Sequence, residues 1–180
     1  MSDETLSLVH SDCQEIDSNS NQLESVHNGG EGYLLDDLLQ GGKWINGTSG
    51  SLIKRTIIEE AGGFDIDLST GADQEFFFRI ASKGKIGRVP KVLWYYRIHS
   101  NNMHNNIGVY ERDTLLTFTR ANEHKLYKTP AFRRLCLSKM NYMLAGMFWK
   151  ANRVKSINYL LKSIAWHPPI ILTFLRKLFK

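Results

Sequence analysis

Ala72-Asp-Gln-Glu-Phe-Phe-Phe-Arg-Ile80 is the stretch on which the fold turns. It follows the loop Ser69-Thr-Gly71, and Asp73 is a residue type that caps helix N-termini well. The pattern predicts a helix from Asp73 to Lys83, stopped by Gly84, with Phe76, Phe77, Ile80 and Ala81 as its buried face. Downstream, Val92-Leu-Trp-Tyr-Tyr-Arg-Ile98 is dense in β-branched and aromatic residues and predicts a strand, with Pro90 before it and Asn101-Asn102 after. Upstream, Ser51 is placed to cap a helix carrying Ile53, Ile57, Ile58 and Ala61 and stopped by Gly62-Gly63. Leu34 to Leu39 predicts a short helix ended by Gly41-Gly42. Leu6 to His10 reads as a strand, and the polar stretch Asp17 to Gly32 as a long loop.

Beyond Ile107 the pattern is helical. Met143, Leu144, Met147, Phe148 and Ala151 share one stripe, and Ile157, Leu160, Leu161 and Ile164 another, before His167-Pro-Pro169 breaks the helix. No internal repeat is visible. Strands mixed with helices make this an α/β chain, divided here into residues 1–106 and a helical, basic region, 107–180.

The 180 residues suffice for one domain with a real core, and 42% apolar with 11% aromatic residues excludes a disordered chain. Cys13 and Cys136 have no metal-ligand spacing and suit a reducing, cytoplasmic compartment. The acidic N-terminus lacks a signal-peptide pattern, and no run of 18 apolar residues signals a transmembrane helix. The net charge of +5 is unevenly spread. Residues 1–106 hold 9 Lys and Arg against 15 Asp and Glu, whereas 107–180 hold 14 against 3, so the second part is expected to face something anionic.

Three places carry candidate chemistry. Asp73 at a helix mouth either caps orphan N–H groups or accepts a proton from a hydroxyl nucleophile. The helix dipole is expected to lower its pKa, with Glu75 and Asp65 as nearby spare carboxylates. Arg97 and His99 fall on one face of the strand with Leu93 and Tyr95. The guanidinium fork fits phosphate oxygens, and the imidazole suits a phosphate or a divalent cation. Among the aromatics, Trp94 and Tyr96 are assigned to packing, leaving Trp44 as an acceptor-site candidate able to stack on a sugar ring.

In order and spacing these segments resemble the second half of the family 2 glycosyltransferases of the GT-A fold. The matching stretches are Leu8-Val-His-Ser-Asp12 with Glu15-Ile-Asp17, Gly50-Ser-Leu-Ile-Lys-Arg55, Glu60-Ala-Gly-Gly-Phe-Asp65, Ala72 to Ile80, and Tyr96-Arg-Ile-His99. The resemblance implies a partial GT-A fold and inverting transfer of a sugar from a nucleotide diphosphate to an acceptor hydroxyl, in cell-surface polysaccharide or glycolipid synthesis. Asp73 matches the second position of the family's Glu-Asp motif, the general base, with Ala72 in place of the glutamate. Arg97 and His99 match the Arg-x-His element facing the donor diphosphate and its metal, Mg2+ or Mn2+. Gly63, Phe64 and Asp65 match the acceptor-side loop. The nucleotide-binding strands and metal-binding Asp-x-Asp motif lie, in that family, ahead of the segments matched here. The chain is therefore expected to be a fragment without independent activity unless a companion supplies the donor half.

The tail Pro169 to Lys180 mixes Ile, Leu and Phe with Arg and Lys. It is expected either to lie on anionic lipid at the inner face of the cell membrane or to cover the protein's own core. Two rival readings are a non-catalytic glycan-binding remnant and a basic nucleic-acid or scaffold-binding protein. No nucleic-acid motif appears, so no nucleic-acid partner is expected.

Overall fold

Leu6–Ile16 (β1) is the strand around which the sheet is built. The computed structural model describes residues 3–99 and 106–172. Ser51–Ile53 (β3) pairs antiparallel with the first half of β1, Leu8 opposite Ile53. Gln22–His27 (β2) pairs antiparallel with its second half, Cys13 opposite His27. Along the other edge Lys85–Arg97 (β4) runs parallel, from Leu6 opposite Lys85 to Ile16 opposite Arg97. A parallel neighbour requires a crossover, here the segment holding Leu35–Leu39 (α1), Arg55–Ala61 (α2) and Ala72–Ala81 (α3). Leu8, Leu34, Leu39, Phe78, Ile80 and Ile86 are almost wholly buried and form the core of this α/β unit.

Four elements differ from the sequence expectation. The stretch 17–32 contains β2, whose side chains are nearly all exposed; such an edge strand needs no apolar face, since pairing with β1 defines it. Ser51 opens β3 rather than capping a helix, and its hydroxyl donates to the Gly47 carbonyl at 2.7 Å. The helix begins instead at Arg55, after Lys54, and ends at Gly62 with φ of 80°, a conformation glycine adopts without strain. β4 starts at Lys85, seven residues ahead of Val92, because it carries a bulge: Val89 lies opposite Ser11 and Val92 opposite Asp12, leaving Pro90 and Lys91 out of register. Proline has no N–H for the ladder, so the strand bends around it rather than stopping.

The chain divides into two units, residues 1–126 and 127–180. The boundary therefore falls some twenty residues beyond the expected 106, because Ile107–Glu123 (α4) packs on α3, with Phe118 edge-on to Phe78 at 5.8 Å. The second unit is a helical hairpin of Pro130–Ala151 (α5) and Arg153–Trp166 (α6). Thr129 caps α5 through the Phe132 N–H at 3.0 Å, with Pro130 in the first turn. Asn152 caps α6 through the Lys155 N–H at 3.0 Å. Leu144 and Phe148 are buried as the first stripe implied, but Met143 is exposed. Ile157 and Leu161 of the second stripe face outward, contrary to expectation.

Candidate functional site

The helix that carries Asp73 is not capped by Asp73. α3 begins at Ala72 after Gly71, so Asp73 stands inside the first turn, its Oδ1 accepting from the Gln74 N–H at 2.7 Å. The cap comes from α4. Asp113 Oδ2 accepts from the backbone N–H groups of Ser69 (2.8 Å), Thr70 (2.6 Å) and Gly71 (3.3 Å), and from the hydroxyls of Ser69 and Thr70. A concave run of N–H groups is an anion site, and Asp113 fills it. Burial by itself would push this carboxyl up. The Arg112 guanidinium and the loop donors outweigh it and hold the group far below the ordinary carboxylate range.

Two turns of α4 further on, Arg120 donates to Asp65 Oδ2 at 2.6 Å and Asp67 Oδ2 at 2.8 Å. Asp113 and Arg120, seven apart on one helix face, thus clasp both ends of the loop 65–71. Sequence reasoning missed both. The signal was present as an acid and a base at helical spacing, with Thr117 and Ala121 between and beside them.

Asp73 is an exposed residue, and its carboxylate has no ion-pair partner among the described residues. The protein gathered around it makes desolvation the strongest influence, and its pKa is raised. The N–H groups of Gln74 and of Asp73 itself pull it down by less. The expected lowering at the helix N-terminus is thus overcome, because desolvation outweighs the N–H groups that Asp73 accepts. Tyr110 of α4 lies close by: burial and then the Asp73 charge raise its hydroxyl pKa. Phe64, half exposed, packs its ring on Phe76 at 4.6 Å, and Phe76 is one helical turn from Asp73. Asp73 and Tyr110 therefore belong to one neighbourhood.

The two spare carboxylates are committed elsewhere. Asp65 is bound by Arg120, whose hydrogen bond helps keep its pKa low after that of the Asp67 N–H. Glu75 is buried against Arg79 at 2.6 Å. Arg79 also donates to the carbonyls of Ala61, of Gly62 (3.2 Å) and of Gly63 (2.8 Å), fixing the acceptor-side loop onto α3. Gly63 itself has open space where a side chain would stand.

Arg97 ends β4 and reaches the β1–β2 turn, donating to the carbonyls of Asp17 (2.9 Å) and Ser18 (3.2 Å) and to the Ser20 hydroxyl (3.2 Å). Asp17 shapes that turn by accepting from the N–H groups of Asn19 and Asn21, both at 2.8 Å. His99 follows just beyond the strand. Trp44 is half exposed and donates to Asn46 Oδ1 at 2.8 Å, while Asn46 bridges the carbonyls of Ser11 and His27. Asp12 takes both 2.7 Å bonds of a bidentate pair with Arg88, and Glu15 bonds His27 at 2.7 Å across the hairpin. Trp94 packs over Gly47 and Gly50, as a packing assignment requires, whereas Tyr96 is partly exposed.

A depression of about 230 Å³ opens between β1, β3 and β4, walled by Val9, Ser51, Leu52, Val89, Leu93 and Trp94. His10 and Ser11 also line it, with no carboxylate or guanidinium among the lining residues. Among the described residues no three His, Cys, Asp or Glu side chains converge as a metal site. No family model matches the chain, and no curated protein sequence matches it.

Proposed function

We propose that this chain is the acceptor-side part of an inverting glycosyltransferase of the family 2 type, with Asp73 as the general base. The observation that carries the proposal is the state of that carboxylate: borne on an exposed residue, outside any ion pair among the described residues, and raised in pKa by the protein packed around it. A base works best when its pKa approaches the working pH, and partial desolvation moves Asp73 that way. Asp73 takes the proton of an acceptor hydroxyl as the new bond to the anomeric carbon forms. The bond to the diphosphate oxygen breaks on the opposite side, so configuration inverts and a nucleoside diphosphate leaves. Phe64, half exposed, is assigned to stacking on the acceptor sugar, and Trp44 is a second, separate stacking candidate. Arg97, held by neutral oxygens of the β1–β2 turn, and His99 are assigned to the donor phosphates. They need not touch Asp73, because the sugar of the donor separates the acceptor hydroxyl from the diphosphate.

Recognition of the nucleotide and of a divalent cation is assigned to polypeptide beyond these residues, so the activity is proposed for the complete enzyme. Its setting is the cytoplasmic face of the cell membrane, with a glycan or lipid-linked acceptor. Release of nucleoside diphosphate from a panel of nucleotide sugars is the assay. Asp73→Asn in the complete enzyme is expected to lower turnover by roughly 10²–10⁴-fold at an unchanged fold. Near-full turnover in that variant overturns the assignment.

A further inference from the structure

Helix α6 is built inside out. Its buried residues are Ser156, Tyr159 and Ser163, and the serines bond directly to α5. Ser156 donates to the Ala145 carbonyl at 2.6 Å. Ser163 donates to the Ser138 carbonyl, and Ser138 to the Ser163 carbonyl, each at 2.7 Å. Meanwhile Val154 (79% exposed), Ile157 (52%) and Leu161 (62%) point outward. At about 100° per residue these three fall within roughly 60° of one another, opposite the serines. In water a helix hides its apolar stripe and shows its serines. Small hydroxyl residues inside and aliphatic residues outside is the arrangement of helices whose outer surroundings are lipid.

The charges agree. Residues 127–180 contain eleven Lys and Arg and no Asp or Glu. On the helical wheel Lys155 and Lys162 flank the exposed stripe on one side, and Arg153 flanks it on the other. Their charged heads lie over aromatic rings that edge the stripe: the Arg153 guanidinium is 4.2 Å from the Trp149 ring centroid, and the Lys162 ammonium 5.2 Å from that of Tyr159. An apolar ridge between two basic margins matches a bilayer interface, with aliphatic tips among acyl chains and cations at anionic headgroups. Fourteen residues make about 21 Å of helix, short of a bilayer's hydrocarbon thickness. No helix among the described residues is long and apolar enough to cross a membrane. A nucleic-acid surface would carry the cations without the ridge.

We infer that α6 is an interfacial membrane-docking helix for anionic lipid, with Val154, Ile157 and Leu161 as its inserted ridge. This stands apart from the sugar-transfer reading and from the tail expected to bind lipid, whose residues 173–180 lie outside the described ones. The test is co-sedimentation of the full chain with sucrose-loaded vesicles of phosphatidylserine and phosphatidylcholine, against phosphatidylcholine alone. Partition onto the anionic vesicles is expected to be at least about tenfold stronger. V154S/I157S/L161S and, separately, K155Q/K162Q are each expected to weaken it by about tenfold, with helical circular dichroism unchanged. For independence from folding of these variants, a nitroxide on I157C is expected to gain oxygen accessibility and lose accessibility to a polar nickel complex on adding anionic vesicles. Cys13 and Cys136 are buried and leave that site selective. The inference is overturned if the triple variant partitions like the parent, if neutral vesicles bind equally, or if the label stays in water. It is equally overturned if the ridge substitutions instead abolish polynucleotide binding or a solution dimer without affecting vesicles.

Discussion

Asp113 accepts the backbone N–H of Thr70 at 2.6 Å across 43 residues of sequence, and this bond ties α4 to the mouth of the helix that carries Asp73. With the N–H groups of Ser69 and Gly71 on the same oxygen, a single buried carboxylate fixes the loop that enters α3.

Asp113→Ala is expected to cost about 3–5 kcal/mol, because three backbone donors and Arg112 lose their acceptor in a dry environment. Chemical denaturation measures it. The pKa of Asp113 is depressed in the folded chain, so its contribution is complete above the unfolded carboxylate value of 3.8 and is lost as pH falls further. Stability of the parent is expected to drop on acidification below about pH 4, with the slope shallower in Asp113→Asn. Parallel slopes would refute this.

Asp73 behaves oppositely. Its folded pKa is raised, so the folded state is penalised as pH climbs above the unfolded value and the carboxylate ionises. Asp73→Asn is expected to melt above the parent at pH 7, the difference vanishing below about pH 4. A residue that only capped the helix would show the reverse. Paired scans at the two pH values distinguish them.

Arg79 joins α3 to the end of α2 through the carbonyls of Ala61, Gly62 and Gly63, with Glu75 balancing its charge. Arg79→Met is expected to lose about 3–5 kcal/mol, since Glu75 is left buried and unpaired. The double substitution with Glu75→Leu is expected to recover a large part of that loss. Hydrogen exchange at the amides of residues 58–65 should accelerate in the single variant.

Gly50 lies against the indole of Trp94. A methyl group there would stand 2.0 Å from Nε1, inside any permitted contact. Gly50→Ala is expected to destabilise by about 1–3 kcal/mol, and Trp94→Phe in that background to relieve part of the strain. Thermal melts of the two variants check this.

Much of the fold can be read locally. The face Phe76, Phe77, Ile80 and Ala81 of α3 announces itself at helical spacing, as do the glycine that ends α2 and the Val-Leu-Trp-Tyr-Tyr run of β4. Apolar periodicity and backbone stops act within a few residues, so the chain states them by itself. β2 is legible only as the partner of β1, because an exposed edge strand has no apolar pattern of its own. The candidate base was visible as an acid near a helix start, but its chemistry was not. Whether Asp73 caps or stays available depends on a competitor forty residues away.

The sequence by itself determined the buried face of α3, the end of α2 and the aromatic run of β4, and which acid stands at the mouth of α3. Only the tertiary structure decided that Asp113 takes the cap, that Arg120 claims Asp65, and that the aliphatic stripe of α6 turns outward while its serines turn in. The physical reason is that hydrogen bonds and ion pairs are won by whichever donor and acceptor the folded chain brings within 3 Å, a contest between distant residues that local periodicity does not record.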